Sequence, residues 1–328
     1  MQHFLSIHYL RAIAALMVAI FHVFNSVDFM RSSDADILWL RGGVDIFFVI
    51  SGFVMVQSTA GRRITPSKFM LHRAQRIVPM YWLATFAMML QVDGQWGLKA
   101  KSLLFIPAMN PKINIMQPVL EPGWTLNYEM FFYLVFAVTL LLKEAHRFIS
   151  LAIVFAALVL VGWLAEGSNL FEFYARSIIL EFVLGMAIAR SGLRLPMIAV
   201  PLGFAMMFSF QSLAIDRLLS LGVPAALIVA GALSCEDRLP RWKFANLLGS
   251  ASYSIYLFHI LVLGMVVQIS LYLGWSKTTF VAVAIATIIL AGCGIYWALE
   301  RPVIAFFVWQ RDRQIKSRVA KVWGPSRR

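Results

Sequence analysis

Charge is what this chain has least of. Only 14% of its 328 residues are Asp, Glu, Lys or Arg, while 60% are hydrophobic and the mean hydropathy is +0.77. A soluble domain carries about 25% charged residues, so a water-soluble globule is excluded. Cysteine is nearly absent. Cys235 and Cys293 both fall in apolar stretches, outside any CxxC or Cys/His cluster, so neither a disulfide framework nor a metal site is indicated. No Gly/Ser linker divides the chain, and no internal repeat is visible. Acidic residues are scarce too, 16 against 29 basic ones. In a soluble protein a net charge of +13 raises the question of nucleic acid. In a chain this apolar it matters first where the basic residues fall between hydrophobic runs, and no nucleic-acid partner is expected.

What the sequence has is apolar runs of about twenty residues, each long enough to cross a hydrocarbon core of about 30 Å. They predict an all-α polytopic membrane protein with ten transmembrane helices near 5–25, 42–59, 79–92, 124–142, 148–165, 173–190, 196–212, 217–235, 250–272 and 278–299. The first run lacks a small-x-small cleavage site after Phe24 and is expected to stay in the chain. With the N-terminus cytoplasmic, the inside segments hold 20 Lys and Arg and the outside segments hold 8. That asymmetry favours both termini inside. Residues 1–310 form the expected transmembrane domain, and 311–328 a basic cytoplasmic tail facing anionic lipid.

Ionisable groups within spans are costly, so they line cavities or pair with one another. Arg11 and His22 lie eleven residues apart, which at about 100° per residue brings both to one helix face, about 16 Å apart along the axis. His22 either hydrogen-bonds a neighbouring helix or takes part in chemistry. "RGGVDIFFVISGF" carries Asp45, which at i,i+4 spacing can pair with Arg41, and the small-residue site Ser51-Gly52. The loop "GRRITPSKFMLHRAQRIVP" gathers Arg62, Arg63, Lys68, Arg73 and Arg76. Arg73 and Arg76 are neighbours on a short helix expected to stop near Pro79. The run is either a topology signal or a grip for a phosphorylated cytosolic ligand, since guanidinium forks match phosphate oxygens. In "GWTLNYEMFFY", Trp124 suits the interface, and Glu129 shares a face with Tyr133. Ser252, Tyr256 and His259 form a polar stripe in the ninth span, and Glu181 is a further buried acid.

In order and spacing, "RAIAALMVAIFH", "GGVDIFFVISGF", "FMLHRAQRIVP" and "GWTLNYEMFFY" resemble the signatures of the acyltransferase-3 family of membrane O-acyltransferases, and "SYSIYLFH" and "ALERP" fit as well. "LLFIPAMNP…GWTLNYEMFFY" is most similar to the branch that acetylates bacterial exopolysaccharides. The resemblance implies a multi-pass enzyme of the bacterial cytoplasmic (inner) membrane that moves an acyl group, commonly acetyl from acetyl-CoA, to a carbohydrate hydroxyl. It carries an essential Arg/His pair onto Arg11 and His22. It also carries an Arg-x-x-Arg element onto Arg73 and Arg76, and a Ser-Gly-Phe element onto Ser51, Gly52 and Phe53.

On that basis His22 is expected to act as general base, with Asp45 or Glu129 orienting its ring. Arg11, Arg73 and Arg76, with Arg62 and Arg63, are expected to hold the donor's phosphates. Trp124, Tyr133, Tyr256 and His259 line the path or pack beside it. The acceptor would be a polysaccharide or lipid-linked oligosaccharide on the outer side. The rival reading is a secondary transporter using buried His, Asp and Glu for proton coupling.

Overall fold

A computed structural model of the protein describes residues 4–26, 34–164 and 169–323. Arg31, residue 165 at the end of the fifth expected span and residues 324–328 of the basic tail lie outside this description. The described chain is a bundle of helices: α1 (Leu5–Asn25), α2 (Gly42–Thr59), α3 (Pro66–Met89), α4 (Trp96–Leu103), α5 (Gly123–Thr139), α6 (Glu144–Leu164) and α7 (Asn169–Tyr174). These are followed by α8 (Leu180–Ser191), α9 (Ala199–Phe210), α10 (Val223–Leu233), α11 (Lys243–Leu273), α12 (Lys277–Ile295) and α13 (Arg301–Trp323). One antiparallel hairpin, Met109–Asn110 with Ile115–Met116, lies in the long segment before α5.

Among the described residues, five helical stretches are long and apolar enough to cross a membrane: Leu5–Asn25, Ile37–Thr59, Glu144–Leu164, Lys243–Leu273 and Lys277–Arg313. Ala199–Phe210 and Leu218–Leu233 are shorter apolar helices. The other expected spans correspond to α3, half of which carries the basic run, to the 17-residue α5, and to α8, which starts at Leu180 after a turn at Ser177–Ile179. The α6 helix shows what solvent this surface meets. Only Leu151 and Phe155 of its 21 residues are buried, while Ile149, Ile153, Leu160 and Leu164 are exposed. An apolar helix with an apolar outer face is stable against hydrocarbon and not against water.

Close helix contacts hold the centre. A Cβ on Gly52 would run into the Phe182 carbonyl, and one on Gly185 into the Val49 carbonyl, so α2 and α8 touch backbone to backbone. Gly43 meets the Ala14 carbonyl of α1 in the same way. Stacked rings fill the layer beside them, with Phe182 lying 4.6 Å from Phe48 and 4.3 Å from Phe132. The first turn of α1 is capped by a distant carboxylate. Leu5 N and Ser6 N donate to Glu236 at 2.5 and 2.9 Å, an anion at a helix N-terminus.

One expectation about local structure is overturned. The helix bearing Arg73 and Arg76 does not stop at Pro79; α3 continues through it to Met89. Proline removes one backbone donor and crowds the preceding turn, which neighbouring helices can compensate in a membrane bundle. Pro79 leaves the Gln75 carbonyl without its helical donor, and α11 packs beside this turn, the Tyr253 hydroxyl donating to the Ile77 carbonyl at 2.8 Å. As a result α3 is one rigid rod that carries the arginines on one half and the buried Tyr81 and Ala84 on the other.

Candidate active site

Two cavities occupy opposite ends of the bundle, and they are named inner and outer after the orientation expected from the basic residues. The inner one, about 460 Å³, is walled by the start of α1, α2, the basic half of α3, α5, α11 and the turn at Tyr296–Glu300. Arg11, Arg73, Arg76, Glu129 and Glu300 are its charged groups, and Tyr133, Tyr253, Tyr256 and Tyr296 supply phenols. Arg76 is exposed at the mouth, and Arg11 and Arg73 are half-buried. Among the described residues none of these three arginines is in an ion pair. The Arg73 guanidinium lies 5.5 Å from the Phe69 ring centroid and 5.9 Å from that of Tyr133, so aromatic faces hold it in place of a carboxylate. Deeper in, Ser51 donates to Glu129 Oε1 at 3.1 Å, and the Tyr133 hydroxyl donates to the same oxygen. The Glu129–Tyr133 pairing follows the i,i+4 spacing seen in the sequence.

The outer cavity, about 730 Å³, lies among Arg41, the segment 115–124, the end of α6, α7 and the turns at 176–178 and 216–217. Trp124 and Trp163, Glu121, Glu172 and Asp216, and Arg41, Arg176 and Arg217 all line it.

A short chain of hydrogen bonds separates the two spaces. Tyr256 and Thr125 border the inner cavity, their hydroxyls 2.7 Å apart, and Tyr256 also donates to the Pro122 carbonyl at 3.2 Å. One turn along α11, His259 Nδ1 lies 2.7 Å from the Tyr256 carbonyl. His259 Nε2 lies 3.3 Å from His22 Nδ1, and His22 Nε2 lies 3.4 Å from Glu121 Oε1, on the outer cavity wall. His22 Nδ1 is also 2.9 Å from the Val18 carbonyl of its own helix.

These partners assign the protons. A carbonyl only accepts, so His259 carries its hydrogen on Nδ1 and offers the lone pair of Nε2. His22 Nδ1 then donates to Val18 and His259 together. His22 Nε2 faces Glu121 and the outer cavity: it holds a lone pair while the ring is neutral and donates to the Glu121 carboxylate once the ring is protonated. Glu121 is 45% exposed at its side chain. Its hydrogen bond with His22 comes first in holding its carboxyl below the usual range, while burial pushes the other way.

Several residues singled out in the sequence land elsewhere. Asp45 does not pair with Arg41 and does not reach His22. It is fully buried and takes a bidentate grip from Arg217, Nε to Oδ1 at 3.0 Å and Nη2 to Oδ2 at 2.7 Å. Arg217 arrives from the entry to α10, and a guanidinium fork outcompetes the i,i+4 partner because it satisfies both carboxylate oxygens. Glu129 sits in the inner cavity with Ser51 and Tyr133, and among the described residues the carboxylate at His22 is Glu121. Glu181 is buried beside Gly222. Arg62 and Arg63 are exposed on the loop before α3, outside the inner cavity. Gly52 serves the α2–α8 contact, and Phe53 meets Phe4 edge-on at 5.3 Å. Trp124 lies under the Arg217 guanidinium at 5.9 Å. Ser252 bonds its own helix at the Gly249 carbonyl. Glu121, Thr125, Glu300 and Arg217 are the site groups that sequence reading missed. The segment "LEPGW" offered one signal, an acid just ahead of a helix whose motif had already been singled out.

Comparison with known proteins agrees with the motifs. The chain is 39% identical to the exopolysaccharide production protein ExoZ of Rhizobium meliloti (strain 1021) over 286 residues, covering 80% of this chain and 89% of that protein. No solved structure matches it. The acyltransferase domain that defines the acyltransferase-3 family matches residues 4–298, nearly the whole chain, and the protein belongs to that family of membrane acyltransferases.

Proposed function

We propose that this protein is a ten-span enzyme of the bacterial cytoplasmic membrane, with both termini inside. It transfers an acetyl group from cytosolic acetyl-CoA to a hydroxyl of an exopolysaccharide or its lipid-linked precursor on the outer side. The observation that carries this reading is a pair of cavities, an arginine-bearing inner space and a polar outer one, bridged by the run Tyr256, His259, His22 and Glu121, whose end members line the inner and the outer space. The similarity to ExoZ, named for exopolysaccharide production, supports the class of acceptor.

The chemistry follows from the protons. Arg11, Arg73 and Arg76, with no carboxylate ion pair among the described residues, bind the phosphates of CoA, and the pantetheine arm runs up the inner cavity past Ser51, Glu129 and Tyr133. The thioester then lies below Thr125 and Tyr256. An acceptor hydroxyl entering from outside gives its proton to His22 Nε2 as its oxygen attacks the thioester carbonyl. The Tyr256 hydroxyl stands at the head of the inner cavity, and its single hydrogen, given to the Pro122 carbonyl at rest, would turn to meet the oxyanion. Collapse of the tetrahedral intermediate breaks the C–S bond, and the proton on His22 passes to the leaving sulfur, giving an acetyl ester and free CoA. Glu121 faces the nitrogen that becomes protonated, so it stabilises the imidazolium directly. Orientation of the neutral ring falls to Val18 and His259.

The test uses the full chain in nanodiscs. CoA and acetyl-CoA should raise its melting temperature, and acetyl transfer to deacetylated exopolysaccharide should be detectable by NMR. Solute transport in proteoliposomes with no CoA effect would replace the enzyme reading with the transporter one.

A further inference from the structure

The outer cavity holds more polar groups than its own hydrogen bonds consume. Arg217 is committed to Asp45. Asp216 is committed to Ser177 Oγ at 2.9 Å and Leu218 N at 2.8 Å. Glu121 is engaged with His22. Arg41, Arg176 and Glu172, by contrast, have no ion-pair partner among the described residues. Trp163, on the last turn of α6, is 84% exposed at the cavity edge, across from Trp124 on α5.

The balance of charge differs from that of a phosphate site. Arg41, Arg176 and Arg217 are matched by Glu121, Glu172 and Asp216, so the wall is neutral overall. Planar guanidinium and carboxylate groups set side by side donate and accept in pairs, which suits vicinal hydroxyls that also do both. The face of a tryptophan carries negative quadrupole charge and matches the weakly positive C–H face of a pyranose ring. A volume of about 730 Å³ is within the range of about 300–1,000 Å³ typical of ligand clefts.

Resting on the acyltransferase reading above, we propose that the outer cavity is the acceptor site and takes a neutral pyranosyl oligosaccharide at two successive rings. The ring that is acetylated lies against Trp124, with one hydroxyl at His22 Nε2 and a neighbouring one on Glu121. The next ring lies against Trp163 and is held by Arg176 and Glu172. Trp163, Glu172 and Arg176 are therefore the specificity residues for the second sugar.

The experiment measures acetyl transfer from acetyl-CoA by the full chain in nanodiscs. The probes are oligosaccharides cut from deacetylated exopolysaccharide, and in a second arm the lipid-linked repeat unit; the arm that is acetylated identifies the physiological source. Arg176→Ala, Glu172→Ala and Trp163→Ala should each raise the acceptor KM about tenfold or more, as expected on losing a charged hydrogen bond or an aromatic platform. CoA-induced thermal stabilisation reports that each variant is folded. Arg176→Lys, keeping charge but losing the fork, should fall between wild type and Arg176→Ala. As a second measurement, Trp163→Cys, with Cys235 and Cys293 changed to Ser, should be blocked by an impermeant maleimide and protected by the oligosaccharide. Active wild type with unchanged acceptor KM in all three alanine variants, and an unhindered labelled protein, would overturn the acceptor assignment alone. Wild type that binds no CoA and transfers nothing would overturn the enzyme reading beneath it.

Discussion

The inner and outer cavities are built from the same residue types used differently. In the inner cavity three arginines have no ion-pair partner among the described residues and one leans on aromatic rings, so the space favours a ligand that brings its own negative charge. Outside, three arginines face three carboxylates, and one guanidinium is already locked onto buried Asp45. A count of basic residues cannot separate these cases. What separates them is whether each cation has an internal partner.

The largest expected effect lies where the cavities meet. His22→Ala should lower acetyl transfer by about 10²- to 10⁴-fold, the usual worth of a general base, while CoA still raises the melting temperature. Loss of both together would mean that the variant had misfolded and would leave the two cavities undistinguished. Next comes the locked pair. Asp45→Asn leaves the Arg217 charge against a neutral amide, and roughly 3–5 kcal/mol of stability should be lost, read as a lowered unfolding midpoint. A near-neutral result would show that Arg217 belongs to the ligand-facing set after all.

Arg76→Ala, at the inner mouth, should raise the acetyl-CoA KM by about ten- to a hundredfold, the range for one charged contact, with the acceptor KM unchanged. If the acceptor KM moves too, the cavities are not separate sites. The smallest effect concerns Glu121→Gln. The Glu121 carboxyl is held below its ordinary value of 4.5 in the folded protein, so its contribution to stability is complete above that pH and disappears as the pH falls through the lowered value. The gap in melting temperature between wild type and Glu121→Gln should therefore be widest near neutrality and close under acid conditions. A gap that persists in acid would point to packing as its cause.

Helical phase made part of this site legible in advance. Glu129 with Tyr133, and Arg73 near Arg76 on one cavity wall, follow from spacing along single helices. Apolar runs located most helices for the same reason, since burial in hydrocarbon writes its length requirement directly into composition. Partners from different helices were not legible. Glu121 lies 99 residues from His22, and Arg217 lies 172 residues from Asp45. The i,i+4 neighbour Arg41 was the wrong partner for Asp45, and neither Asp45 nor Glu129 is the carboxylate at His22. Pro79 misled for a related reason: its local rule is to end a helix, yet surrounding helices carry α3 onward.

The slender partition of Thr125, Tyr256, His259 and His22 also has an electrical consequence. Two water-accessible vestibules back to back would focus most of the membrane voltage across that partition, where each elementary charge gains about 2.3 kcal/mol per 100 mV. In the proposed mechanism the acetyl transfer is electroneutral, because the proton taken from the hydroxyl returns to sulfur. The enzyme therefore has every reason to keep the gap sealed between turnovers. The interlocked hydroxyls and imidazoles act as insulation as much as machinery, and an enzyme that lost them would leak protons as well as lose its chemistry.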